Sequence, residues 1–237
     1  RVACHQDHIG PDVILVACNT LSVLIPETRF AAVGSVPVLG IVETGVEMLF
    51  EQLMAKTDAT AIIFGTETTI GAETHRRLLI EMGIDSSRLV NQACPNLAGE
   101  IETDARSDIV QSAIDMFVAD ALEKMTRRPD IVLAGLCCTH YGYTAPEFVR
   151  ALNEQGVRQA VVVDPNARMS DVLFPEKTPR RSGEPEILVE VVSRAVITPG
   201  EVSSISCLVS PVSPATARAL EAYSLKRDLF SYSPAER

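Results

Sequence analysis

No apolar run in this 237-residue chain is long enough to cross a bilayer. The longest, VILVAC at 13–18 and IVLAGLCC at 131–138, have the length of buried strands instead. Basic charge is scarce: 21 Lys and Arg stand against 31 Asp and Glu, a net charge of -10. No basic surface is therefore expected to neutralise phosphates, which argues against a nucleic-acid or anionic-membrane partner and favours small-molecule chemistry, although net negative charge can also serve solubility alone. The six cysteines are too few for a disulfide framework and lack the C-x-x-C spacing of zinc sites. Reduced thiols in the cytoplasm are the expectation. A metal site is not expected either, because His5 and His8 have no evident third ligand. The chain opens at Arg1 with neither an initiator Met nor a signal peptide, so the sequence shown is expected to lack its true N-terminus.

What is present describes a folded α/β protein. Hydrophobic residues make up 46% of the chain and charged residues 22%, too apolar a balance for disorder. Short β-branched runs recur at 12–18, 36–42, 59–66, 88–94, 130–138 and 159–165. Segments with helical spacing lie between them, at 44–56, 71–83, 104–126 and 145–155. Such alternation specifies βαβ units with right-handed crossovers and a mostly parallel sheet covered by helices. The segment 175–186, rich in Pro and charge, reads as a linker. Beyond it the pattern predicts a strand around Ser206 to Ser210, then a helix from Pro214 capped by Ser213.

Two stretches echo each other: PDVILVACNT at 11–20 and PDIVLAGLCCTH at 129–140. Each carries Pro-Asp, an apolar run, and a Cys followed closely by Thr. Ligands of open parallel sheets sit beyond the strands' carboxyl ends, where Cys18 and the Cys137-Cys138 pair fall. A single unpaired cysteine is usually a small buried hydrophobe. At a strand end where a helix begins, however, backbone N–H groups favour thiolate. Two thiols on opposite sides of one carbon are what stereoinversion requires, one removing a proton while the other delivers one. Asn19, Thr20 and the loop from Thr66 to Thr69 could hold a carboxylate, although N-capping alone would also explain the threonines. His140 could tune the neighbouring thiolate or merely bond a backbone carbonyl. The loop FGTETTIG at 64–71 lacks the Lys of a phosphate-binding loop.

Taken in order, ACNT (17–20), VPVLGIVETG (36–45), GTETTIG (65–71), ACP (93–95), EIE (100–102) and CTHY (138–141) resemble the cofactor-independent aspartate/glutamate racemase superfamily, glutamate racemase above all. The resemblance implies two similar α/β lobes with the active site between them, one formed by 41–163 and the other by 1–40 with 164–237. It implies interconversion of L- and D-glutamate without pyridoxal phosphate, Cys18 and Cys138 alternating as base and acid. Asn19, Thr20, Thr69 and Thr139 would contact substrate, with Thr66 in the same loop, while His140 and Glu102 would assist Cys138. A cytoplasmic homodimer supplying D-glutamate for peptidoglycan precursors is the matching biological expectation.

The chain departs from that pattern in several places. The Asp-Ser-Gly strand end and Pro-Tyr-Gly loop that open the family do not precede Cys18, so an N-terminal strand of the first lobe is expected to be missing. Cys137 replaces the usual Gly, Gly142 the usual Pro, and Leu21 a usually small residue. Competing readings are a catalytically silent binding relative, and a decarboxylase or lyase that protonates one face only. A redox role for adjacent Cys137 and Cys138 is disfavoured, because neighbouring cysteines rarely form an unstrained disulfide.

Overall fold

The computed structural model describes residues 12–125, 129–173 and 188–229. The linker 175–186 and the histidines His5 and His8 lie outside those residues. The elements run β1 (Ile14–Val16), α1 (Asn19–Ser22), α2 (Arg29–Val33), β2 (Val38–Gly40), α3 (Ile41–Ala55), β3 (Thr60–Gly65), α4 (Glu67–Gly71) and α5 (Thr74–Glu81). They continue with β4 (Leu89–Ala93), α6 (Leu97–Asp104), α7 (Asp108–Glu123), β5 (Ile131–Cys137), α8 (Ala145–Glu154), β6 (Gln159–Val163) and α9 (Pro165–Leu173). The last are β7 (Val192–Ser193), α10 (Pro199–Val209), α11 (Pro214–Glu221) and β8 (Ser224–Leu225). They form two compact units, a larger one of Gly10–Ile101 with Arg106–Thr178 and a smaller one of Glu102–Ala105 with Pro179–Arg237 and the first nine residues. The lobe boundaries implied by the resemblance, at 40 and 163, both fall inside the larger unit.

The larger unit is built on a parallel four-stranded sheet in the order β4-β3-β5-β6. Its central strands are apolar on both faces because helices cover both faces. Ala61, Ile62 and Phe64 of β3 and Val132, Leu133, Ala134 and Leu136 of β5 have no exposed surface. Helix α3 lays Val42, Val46, Leu49 and Leu53 against this sheet, and α7 buries Val110, Ile114, Val118 and Leu122. Each such side chain contributes roughly 1.5–3 kcal/mol of burial free energy. Gly135 lets α3 approach: a Cβ there would stand 3.2 Å from Leu49 Cδ1. A separate parallel pair, β1 with β2, aligns Ile14, Leu15 and Val16 with Val38, Leu39 and Gly40.

The smaller unit packs α10 on α11 and pairs β7 with β8 in parallel. Ala217 and Leu220 are buried within it, and the Tyr223 hydroxyl donates to the Ile197 carbonyl at 3.3 Å.

Several sequence expectations change here. Residues 206–210 are not a strand but lie in α10 and its C-cap, because Thr198 and Glu201 form a reciprocal capping box and Pro199 occupies the first turn. The helix from Pro214 forms as expected, with Ser213 Oγ accepting from Thr216 N at 3.3 Å. The apolar run 36–42 divides: only Val38–Gly40 is strand, and Ile41 and Val42 already belong to α3. Helical spacing over 104–126 also resolves into α6 ending at Asp104 and α7 starting after Ser107, whose Oγ accepts from Val110 N at 3.3 Å.

Candidate active site

The site residues of the larger unit gather at the carboxyl edge of its sheet. Gly65 ends β3 and Cys137 ends β5, and the two are register partners. Thr66 and Cys138 therefore leave the sheet on neighbouring strands, at the edge where open parallel sheets receive ligands. Thr66 caps α4, its Oγ1 accepting from Thr69 N at 3.2 Å. This capping does not exhaust the hydroxyl. Thr66 Oγ1 lies 3.0 Å from Thr69 Oγ1 and 2.8 Å from Thr20 Oγ1, and Thr20 Oγ1 lies 3.3 Å from Thr69 Oγ1. Three hydroxyls thus close a triangle.

Through this triangle the first cysteine motif reaches the same edge. Cys18 occupies the cap position of α1 in extended conformation, makes no side-chain cap bond, and is half-buried. Asn19 and Thr20 follow in the helix itself. Ser22 ties this turn down, donating to the Val16 carbonyl at 2.9 Å and accepting from Ile41 N at 3.2 Å. Asn19 is 1% exposed, and its Oδ1 lies 3.2 Å from His75 Nε2.

On the other strand end, both adjacent cysteines are buried, but their neighbours differ. Cys137 belongs to the core packed under α3, and burial pushes its thiol far above the ordinary range, the nearby Cys138 and Asp164 charges adding to the effect. It stays a neutral thiol. Cys138 caps the 3₁₀ turn Thr139–Thr144, with Sγ 3.7 Å from His140 Nδ1. Burial likewise raises the Cys94 thiol and the Tyr141 phenol, the latter donating to the Cys94 carbonyl at 3.3 Å. Tyr141 packs on Phe148 with ring centroids 5.9 Å apart, so the tyrosine of CTHY is a structural anchor.

A cavity of about 460 Å³ opens beside this turn, lined by Thr139, His140, Gly142, Tyr143, Asp164 and Asn166. Its size suits a small molecule. Asp164 Oδ1 accepts from Asn166 N at 3.0 Å and from Asn166 Nδ2 at 2.6 Å. Gly142 leaves room for this pair, since a Cβ there would meet Asp164 Oδ2 and push the carboxylate aside. The replacement of Pro by Gly thus has a local steric reason.

Of the residues singled out from the sequence, Thr20, Thr66 and Thr69 come together, Cys138 meets His140, and Thr139 joins His140 on the cavity wall. Glu102 is exposed on α6, in the span 102–105 that belongs to the smaller unit. Sequence reasoning missed His75, Asp164 and Asn166. His75 sits in an amphipathic helix where nothing in the spacing separates it from a surface residue. Among the described residues no His, Cys, Asp and Glu cluster could hold a metal ion, and no described helix is long and apolar enough to cross a membrane.

No family model matches the chain. Glutamate racemase of Aquifex pyrophilus is 29% identical over 146 residues, covering 61% of this chain and 52% of that protein. Glutamate racemase of Nitratiruptor sp. is 27% identical over 147 residues, covering 62% and 53%. The chain therefore spans about half the length of these relatives. The solved structure of the Aquifex pyrophilus glutamate racemase aligns with a TM-score of 0.55 at 26% identity, covering 85% of this chain and 71% of that one. The glutamate racemase of Francisella tularensis, solved with D-glutamate, shares the fold with a TM-score of 0.62 at 17% identity, covering 84% and 70%. Sequence relatives and structural neighbours converge on the aspartate/glutamate racemase superfamily, and within it on glutamate racemase, as the group this chain resembles.

Proposed function

We propose that this chain carries the proton-transfer machinery of a cofactor-independent amino-acid racemase that interconverts L- and D-glutamate. The observation behind this reading is the Thr20–Thr66–Thr69 hydroxyl triangle, which ties the Cys18 turn to the strand edge from which Cys138 departs. In the reading, the thiolate of one cysteine removes the α-proton and the thiol of the other protonates the opposite face of the carbanion. Reversing direction exchanges their roles. The carbanion needs its carboxylate held by donors, since charge moves into that group as the C–H bond breaks. Asn19, Thr20, Thr66, Thr69 and Thr139 supply such donors, and His140 and Glu102 assist the Cys138 side. Both thiols are buried, but Cys138 Sγ lies 3.7 Å from His140 Nδ1, and that neighbour supports Cys138 as the reacting thiol.

The same reading includes two lobes, 41–163 and 1–40 with 164–237, a homodimer, and a cytoplasmic location on the route to peptidoglycan precursors. No cofactor or metal enters the mechanism. Incubating the protein with L-glutamate in deuterated water tests it directly. Optical rotation should fall as deuterium appears at the α-carbon; retention of both rotation and protium with glutamate and with aspartate would overturn the reading. Deuterium incorporation with retained configuration would instead indicate one-face chemistry of the decarboxylase or lyase kind.

A further inference from the structure

Asn19 presents an unusual imbalance. Its side chain is buried, Oδ1 lies 3.2 Å from His75 Nε2, and Nδ2 has no hydrogen-bond partner among the described residues. An unpaired buried amide donor costs on the order of 1–3 kcal/mol, so its retention beside Cys18 calls for a reason. Thr20, the next residue, belongs to the hydroxyl triangle, so the turn that carries the unpaired donor is tied to the carboxyl edge of the sheet, where open parallel sheets receive ligands.

His75 decides which end of the amide is spent. It is 2% exposed on α5, with Gly45 of α3 beside the ring: a Cβ there would stand 3.9 Å from His75 Cδ2. Burial pushes its protonation down to about 4, leaving a neutral imidazole with one N–H and one lone pair. With the proton on Nε2, the ring donates to Oδ1 and Nδ2 is left as a donor. With the proton on Nδ1, the ring could only accept; the amide would turn over and present Oδ1, which repels a carboxylate.

We propose that His75 is a positioning residue whose Nε2–H bond to Asn19 Oδ1 locks the Asn19 amide with Nδ2 available to the substrate's carboxylate. This rests on the racemase reading for the identity of the substrate, while the tautomer and the anion preference stand independently of any turnover.

The first test is imidazole nitrogen NMR on the full chain, with the His75 signal assigned by its loss in His75→Gln. The expected signature is a neutral Nε2–H tautomer that does not titrate between about pH 5 and 8. An Nδ1–H tautomer, or protonation above about pH 6, would overturn the proposal. The second test compares His75→Leu, which fills the space without a donor, with His75→Gln, whose amide can donate. With glutarate as a non-reacting dicarboxylate probe, calorimetry should give an affinity about tenfold weaker for the Leu variant, as expected for one lost hydrogen bond, and near recovery for Gln. In turnover the Leu variant should raise KM for glutamate by a similar factor, with kcat changed less. A folded Leu variant that binds glutarate as the wild type does would refute the proposal. If that variant does not fold, the wild-type tautomer decides. If wild type binds glutarate with the predicted tautomer but exchanges no deuterium into glutamate, the racemase reading fails and the His75 assignment survives.

Discussion

The two cysteine motifs echo each other in sequence yet rest on unequal supports. Cys138 follows β5, a seven-residue strand paired on both sides, whose interior residues are wholly buried. Cys18 follows β1, a three-residue strand paired with β2 alone among the described strands, with Leu15 37% exposed. The first motif therefore gains its position less from a sheet than from hydrogen bonds: Ser22 to the backbone, Asn19 to His75, Thr20 to Thr66. Similar local sequence can lead to similar placement by different means. Where packing is abundant, position is held by burial; where it is thin, directional polar contacts take over.

Removing the thiols gives the largest effect and tests whether the two sides are functionally equivalent. Cys18→Ser and Cys138→Ser are each expected to lower racemisation by about 10²–10⁴-fold, the range of a lost acid-base group. The two variants should then differ in which enantiomer of a halogenated glutamate analogue still undergoes elimination. Identical enantiomer preference would refute the facing-thiol assignment.

Leu49→Ala and Leu15→Ala break the comparison at the level of packing. Deleting Leu49, fully buried between α3 and β5, should destabilise by about 2–5 kcal/mol in urea unfolding. Leu15 should cost under about 1 kcal/mol, given its exposure. Equal losses would mean that the β1–β2 pair is as well buried as the main sheet.

Acid sharpens the comparison on the Cys18 side. Because His75 is held neutral in the fold, the unfolded chain binds the extra proton between the ordinary histidine value of 6.5 and about 4. Stability from this group is complete above that window and falls as pH drops through it, by on the order of 3 kcal/mol at the acid end. His75→Gln should flatten this dependence in unfolding measured from pH 7 to 4. An unchanged slope would mean that His75 titrates normally.

Gly142→Ala is a milder probe of the Cys138 side. Collision with Asp164 should cost about 1–3 kcal/mol in thermal or urea unfolding. Asp164→Ala should relieve part of that loss in the double variant; strict additivity would show that the contact is not the cause.

Much of the scaffold was legible from residue order. Apolar β-branched runs alternating with helical spacing announced a parallel sheet, and β3, β4, β5 and β6 all form within those runs. The motifs ACNT, GTETTIG and CTHY pointed to residues that do meet: Thr20 with Thr66 and Thr69, Cys138 with His140. The run around Ser206 misled because its apolar content suits strand and helix alike, and the Thr198–Glu201 capping box eight residues earlier settled the outcome. His75 and Asp164 were invisible as site residues for another reason. Each acquires its role from a partner distant in the chain, Asn19 in one case and the Gly142 turn in the other, and spacing along one element carries no record of such partners.

Residue order alone determined the periodicities, the strand ends and the two thiol-bearing motifs, since each depends on side-chain chemistry read over a few neighbours. Tertiary structure decided that Cys137 is buried beyond ionisation, which of the adjacent cysteines meets His140, which hydroxyls form one cluster, and which donor of Asn19 goes unspent. Those outcomes depend on desolvation and on hydrogen bonds between segments far apart in the chain, and both exist only once the sheet has brought the segments together.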